Sequence, residues 1–198
     1  MASMTTTPSP KEQSGRAPAP ALRADAQRNY DQLVAVAHAE FTAHGAEVPL
    51  EDIAKRAKVG IGTLYRHFPT RQVLIEAVYI DEVEALAKSA EDVADLPPWE
   101  ALHTWLRRFV KYVATKQALI NELFADGAES TVFASCRSMM YEAGQPLLDR
   151  AQAAGEVRAD VSLTDVIHLV AGIAKIPAPE PGQLERILDV ALDGLRRV

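Results

Sequence analysis

The stretch Ile53–Phe68, IAKRAKVGIGTLYRHF, constrains this chain more than any other. Ile53, Ala54 and Ala57 fall on one face of a short helix, and Val59 follows in a turn. Ile61, Leu64 and Phe68 then recur at spacings of three and four, which places them on the inner face of a second helix. The alanines allow a close crossing, and Gly60 and Gly62 are expected to give the turn its backbone freedom. Two short helices joined this way read as a helix-turn-helix, a motif whose second helix lies in the DNA major groove.

Charge supports that reading. No acidic residue occurs from Ile53 to Ile75, whereas Lys55, Arg56, Lys58, Arg66 and Arg71 are all basic. Residues 1–75 carry nine basic and seven acidic side chains, and the remainder carries twelve and twenty, in a chain of net charge -6. A cationic patch on an acidic molecule is the electrostatic footprint of a nucleic-acid site.

The flanking sequence supplies the rest of a helical frame. Tyr30, Leu33, Val34, Ala37 and Phe41 form an apolar stripe on a first helix, Leu22–His44, which Gly45 ends. Pro49 suits the first turn of the second helix, and Glu51 and Asp52 favour its positive end. Pro69 closes the third helix. Thr70 caps a fourth, expected to run through Leu74, Val78 and Leu86 to about Val93.

Leu96-Pro97-Pro98 marks a break. Helices are then expected over Pro98–Lys116, Ala118–Phe124 and Ser130–Ala154, the last kinked at Pro146. Ser162 and Asp165 have the spacing of a capping box. After the prolines 177, 179 and 181, a final helix over Leu184–Arg197 carries apolar residues at offsets of 0, 3, 4, 7, 8 and 11. The fold class is all-α, with about nine helices. It divides into a disordered tail (1–21), a three-helix DNA-binding domain (22–69) and a helical ligand-binding and dimerisation domain (70–198).

Other features narrow the class. With 48% apolar residues the chain can bury a sizeable core. No run of eighteen apolar residues implies a membrane span. Cys136 is the single cysteine, so no internal disulfide forms, and a cytoplasmic location is expected.

The run LEDIAKRAKVGIGTLYRHFPTRQVL resembles the N-terminal domain of the TetR (tetracycline-repressor-like) family of bacterial regulators. The G-T-L-Y-R-H-F-P block followed by Arg71 and Leu74 carries the likeness. Lys58 departs from it, standing where the family usually has glycine. Glu47-Val48-Pro49 also departs, standing where a Thr-rich lead is common.

At the DNA site, Arg66 is suited to base readout, and Thr63 can reach a base edge, a thymine methyl or a phosphate. Gly62 allows close backbone approach. Lys58 and Arg71 would add sequence-blind attraction, and Arg28 is available to a phosphate. The resemblance implies that Tyr65 and His67 contact phosphates; the plainer reading is that they pack between helices.

The resemblance further implies a homodimer on a pseudo-palindromic operator. Val166, Ile167, Val170, Leu184, Ile187, Leu188, Ala191 and Leu195 are the expected interface, the plainer reading being monomer core. It also implies a cavity for an unidentified small-molecule effector, with Trp105, Phe109, Tyr112, Phe124, Phe133, Cys136, Met140 and Tyr141 as candidate lining. No cofactor and no metal is expected. The function expected is a repressor released by its ligand. Alternatives are a constitutive or activating regulator and, remotely, a helical metal enzyme built on Glu100/His103 and Asp165/His168.

Overall fold

The computed structural model describes residues 20–123, 131–177 and 180–197. The tail residues 1–19, Phe124 and Pro179 therefore lie outside the described part. Eight α-helices and one short 3-10 turn make up the described chain: α1 (Pro20–His44), α2 (Leu50–Arg56), α3 (Ile61–His67), α4 (Arg71–Lys88), α5 (Pro98–Leu123), α6 (Thr131–Ala153), α7 (Leu163–Ile173) and α8 (Gln183–Asp193), with the 3-10 turn at Glu91–Val93. The fold is all-helical, as expected. An isolated bridge, Val157 to Arg196, is the one β-type pairing among the described residues.

Several boundaries differ from the sequence expectation. Pro98–Leu123 is one helix, not two, because nothing between Lys116 and Ala118 breaks a helix. α4 stops at Lys88, and the 3-10 turn takes over toward Val93. Pro49 sits just before α2 rather than inside its first turn. α6 continues through Pro146. The two predicted caps form: Thr70 Oγ1 accepts from the Val73 amide at 3.3 Å, and Ser162 and Asp165 close a reciprocal box.

Two cores organise the molecule. The first joins Leu33, Ala37 and Phe41 of α1 with Ile53, Ala57, Leu64 and Phe68 of α2 and α3. It also takes Leu74, Ile75, Val78 and Val83 from α4 and Phe133 and Cys136 from α6. The second gathers α5, the lower half of α6, α7 and α8, and receives Leu86 from the end of α4. Packing therefore does not divide at residue 69, since most of α4 completes the N-terminal core.

Trp105 anchors the second core. Its ring is fully buried, and its indole Nε1 donates to the Leu86 carbonyl at 3.2 Å. It presses so closely on α6 that a Cβ added at Gly144 would come within 2.6 Å of the ring. Phe109 stacks on it at 6.2 Å, with Tyr112, Tyr79 and Phe133 continuing the row. Burial pushes the Tyr79 and Tyr112 phenols above their ordinary values.

Candidate nucleic-acid interface

The turn between α2 and α3 is built around Lys58. This residue takes φ 54°, the left-handed region, and is the only non-glycine to do so among the described residues. The Lys58 amide bonds the Lys55 carbonyl at 3.1 Å, and the Val59 amide bonds that of Ala54 at 3.0 Å. This is a Schellman end, where glycine is the usual residue. Gly60 and Gly62 do not supply the turn's freedom, contrary to expectation. Gly60 is extended at φ −62°, and neither glycine needs to be one for lack of space.

Chain reversal at Lys58 seats α3 on α1 and α2 through Leu64 and Phe68, both buried. Ile61 is the correction to the expected inner face: it is 40% exposed. A helix turns about 100° per residue. The outward face of α3 is thus centred on Gly62 and Arg66, flanked by Ile61 and Tyr65 on one side and by Thr63 and His67 on the other. Gly62, Tyr65 and Arg66 are exposed; Thr63 and His67 are half-buried. His67 lies against Tyr30 of α1 at 6.1 Å between ring centres, a packing contact of the kind the plainer reading expects. Tyr30 also meets Phe68 at 5.0 Å, and burial together with Asp81 and Glu84 raises its phenol.

The remaining cations divide into committed and open groups. Arg71, expected to face DNA, is half-buried and donates through Nη1 to the carbonyls of Ala46 at 2.6 Å and Val48 at 2.7 Å. It clamps the α1–α2 loop onto the start of α4, a role that spacing alone did not reveal. Arg56 pairs with Glu40, the one buried charged side chain among the described residues. Arg28 is exposed and pairs with Asp25. Lys55, Lys58 and Arg66 are exposed.

In the body, the expected interface residues Val166, Ile167, Val170, Leu188 and Leu195 are buried in their own chain's core. Leu184, Ile187 and Ala191 are half-buried against it. The exposed apolar residues of α7, its C-terminal end and α8 are instead Leu169, Ile176 and Val190, the last 75% exposed. Five of the eight expected interface residues thus help to close the monomer.

The expected cavity lining is mostly packed core among the described residues. Trp105, Phe109 and Phe133 are buried core, and Tyr112, Met140 and Tyr141 are half-buried against it. A groove of about 750 Å³ opens between the C-terminal half of α4, the 3-10 turn and α6. Ala87, Ala90, Ala143 and Leu147 line it, with Glu84, Glu142, Lys88 and Arg150 around them. None of the candidate residues contributes to it. Cys136 lines a smaller space of about 220 Å³ beside Met139, and burial raises its thiol.

Among the described residues, no group of three or more His, Cys, Asp or Glu side chains is placed to hold a metal ion. Asp165 is engaged in its cap, and His103 lies over Trp99 at 5.5 Å. No helix is long and apolar enough among these residues to cross a membrane.

A short exposed cationic helix, set on a three-helix core and joined by α4 to a larger helical body, is the layout of a helix-turn-helix regulator. Family comparison gives the particular group. Residues 33–78 match the model of bacterial regulatory proteins of the tetR family, and residues 97–197 match the C-terminal domain of SbtR-like transcriptional regulators. The chain belongs to the TetR family.

Among solved structures, a TetR transcriptional regulator from Streptomyces coelicolor is 41% identical with a TM-score of 0.71, over 85% of this chain and 99% of that one. A TetR regulatory protein from Mycobacterium vanbaalenii is 35% identical with a TM-score of 0.72, over 89% of this chain and 99% of that one. An HTH-type transcriptional regulator of Staphylococcus aureus is 30% identical over 48% of this chain and 52% of its own length. The chain thus spans about half the length of that curated relative.

Proposed function

We propose that this chain is a homodimeric DNA-binding repressor of the cytoplasm, released from a pseudo-palindromic operator by a small molecule. It is not an enzyme on this reading. The observation that carries the proposal is the outward face of α3: Arg66, Tyr65 and Gly62 exposed on a helix whose surroundings lack carboxylates from Ile53 to Ile75. Arg66 is free to bond guanine O6 and N7 together, worth about 1–3 kcal/mol of discrimination. Thr63 reaches a base edge or phosphate from the flank, and Tyr65 and Lys58 meet the backbone. Arg28 is available in the same way once it leaves Asp25. Arg71 positions the head rather than touching DNA.

A seven-residue recognition helix reads only a few base pairs. Two copies, about 34 Å apart, would read a full site. Leu169, Ile176 and Val190, with the half-buried Leu184, Ile187 and Ala191, are the apolar side chains of this region that a second copy would cover. The reading head reaches to Pro69 and the ligand and dimer body follows, with α4 common to both. The groove beside α4 is where an effector would act, because a ligand wedged between α4 and α6 displaces the helix that carries the head. For repression to be relieved, that ligand must bind the DNA-incompetent arrangement more tightly, and the coupling is reciprocal.

Binding of selected duplexes, followed by fluorescence anisotropy across salt, tests the reading. Arg66→Ala is expected to lower affinity about tenfold or more and flatten base preference. Lys58→Gly is expected to weaken all duplexes alike and reduce the salt slope by about one unit. Equal binding by both variants and the parent would sink the assignment.

A further inference from the structure

Ile61 presents an apolar side chain to the outside. It begins α3 at 40% exposure, and Tyr65, one turn further on, is 44% exposed. Together they make an apolar flank on a helix whose charged neighbours Lys55, Lys58 and Arg66 are all cationic. Charge of one sign selects a polyanionic partner. Across the major groove of duplex DNA, phosphates and base edges display donors and acceptors, and the thymine 5-methyl is the apolar group among them.

Gly62 strengthens the argument. It stands at the centre of the outward face, and a Cβ there would meet nothing within 4 Å. The glycine leaves the middle of the helix shallow, so the flanking side chains become the parts that project. Thr63, also capable of a methyl contact, is half-buried on the other flank and is less available.

We infer that Ile61 is a specificity-determining residue that reads the 5-methyl group of a thymine. The inference rests on the DNA-binding reading above and adds to it the chemistry of one base. Ile61 and Arg66 are five residues apart on α3, about 7.5 Å along the helix. The thymine therefore falls within about two or three base pairs of the guanine that Arg66 reads.

The test uses the full chain and a duplex selected from a random library, with each thymine of one half-site replaced in turn by deoxyuridine, which removes only the methyl. Loss of one methyl from an apolar contact is expected to weaken the parent protein about fourfold at one position. Ile61→Ala, a substitution at an exposed site, is expected to weaken binding to the thymine duplex by a similar factor and to show no further loss on the deoxyuridine duplex. Equal sensitivity of parent and Ile61→Ala to every deoxyuridine would overturn the inference, as would a parent insensitive at all positions. In both cases an Arg66→Ala loss would leave the DNA-binding reading standing. Recovery of no preferred duplex at all would remove both.

Discussion

The reading head and the body settle the same problem, closing an all-helical core, by different means. The head uses short helices and small residues: Ala37, Ala54 and Ala57 are buried where α1, α2 and α3 meet. The body uses long helices and large rings, with Trp105 locked between Leu86 and Gly144. Their turns differ as well. In the body the left-handed positions belong to Gly155 and Gly182, whereas the head has Gly45 and, at the turn of its reading helices, Lys58 in that conformation. A lysine held there costs about 1 kcal/mol relative to glycine. That strain sits at a charged, exposed turn. The body shows none at a non-glycine residue among those described.

The sharpest way to break this comparison is to damage one core and watch the other. Trp105→Ala is expected to cost about 3–5 kcal/mol in thermal or chemical denaturation. Hydrogen exchange should show lost protection in α5–α8 before α1–α3; uniform loss would mean the two cores are one. Gly144→Ala approaches the same contact from the other side and should cost about 1–3 kcal/mol, because the buried indole has little room to yield. Arg71→Met removes two hydrogen bonds from a charged donor to the α1–α2 loop and is expected to cost about 2 kcal/mol. Its distinguishing sign is faster amide exchange around Ala46 and Val48. Lys58→Gly carries the smallest effect and the opposite sign: a gain of about 1 kcal/mol in stability alongside weaker DNA binding. A loss of stability there would remove the contrast between the two kinds of turn.

Much of the head was legible because its residues answer to local rules. The TLYRHF run fixes a short amphipathic helix, and Thr70 and Gly45 mark ends by cap chemistry. Ile61 was misplaced for a reason that lies in the same rules. A spacing of three to Leu64 cannot tell the centre of a buried stripe from its edge when the helix is seven residues long. In the body the pattern is more degenerate. The stripe Val166, Ile167, Val170 and Leu188 was legible as apolar, but whether it met its own chain or another was not. Val166, Ile167, Val170 and Leu188 go to the monomer core, while Leu184, Ile187 and Ala191 stay half-buried and Leu169, Ile176 and Val190 are exposed. Of the aromatic residues read as cavity lining, Trp105, Phe109 and Phe133 are buried in the cores, since large rings close the space between long helices. The groove beside α4 is walled by alanines with Glu84, Lys88, Glu142 and Arg150 around them, which no sequence pattern distinguishes from surface. Arg71 as a clamp depends on two backbone carbonyls, which carry no letter in the sequence.

The sharing of α4 between the cores has a practical side. A chimera that grafts this head onto a different body by cutting at Pro69 would strip away Leu74, Ile75 and Val78, which share one core with Leu33 and Phe68. The transplantable unit runs to about Val83, and it carries sockets shaped for Phe133 and Cys136 of α6. Recipient scaffolds would have to offer side chains of similar size at those two positions, so exchange of specificity among such regulators is easier by editing the face of α3 than by swapping whole heads.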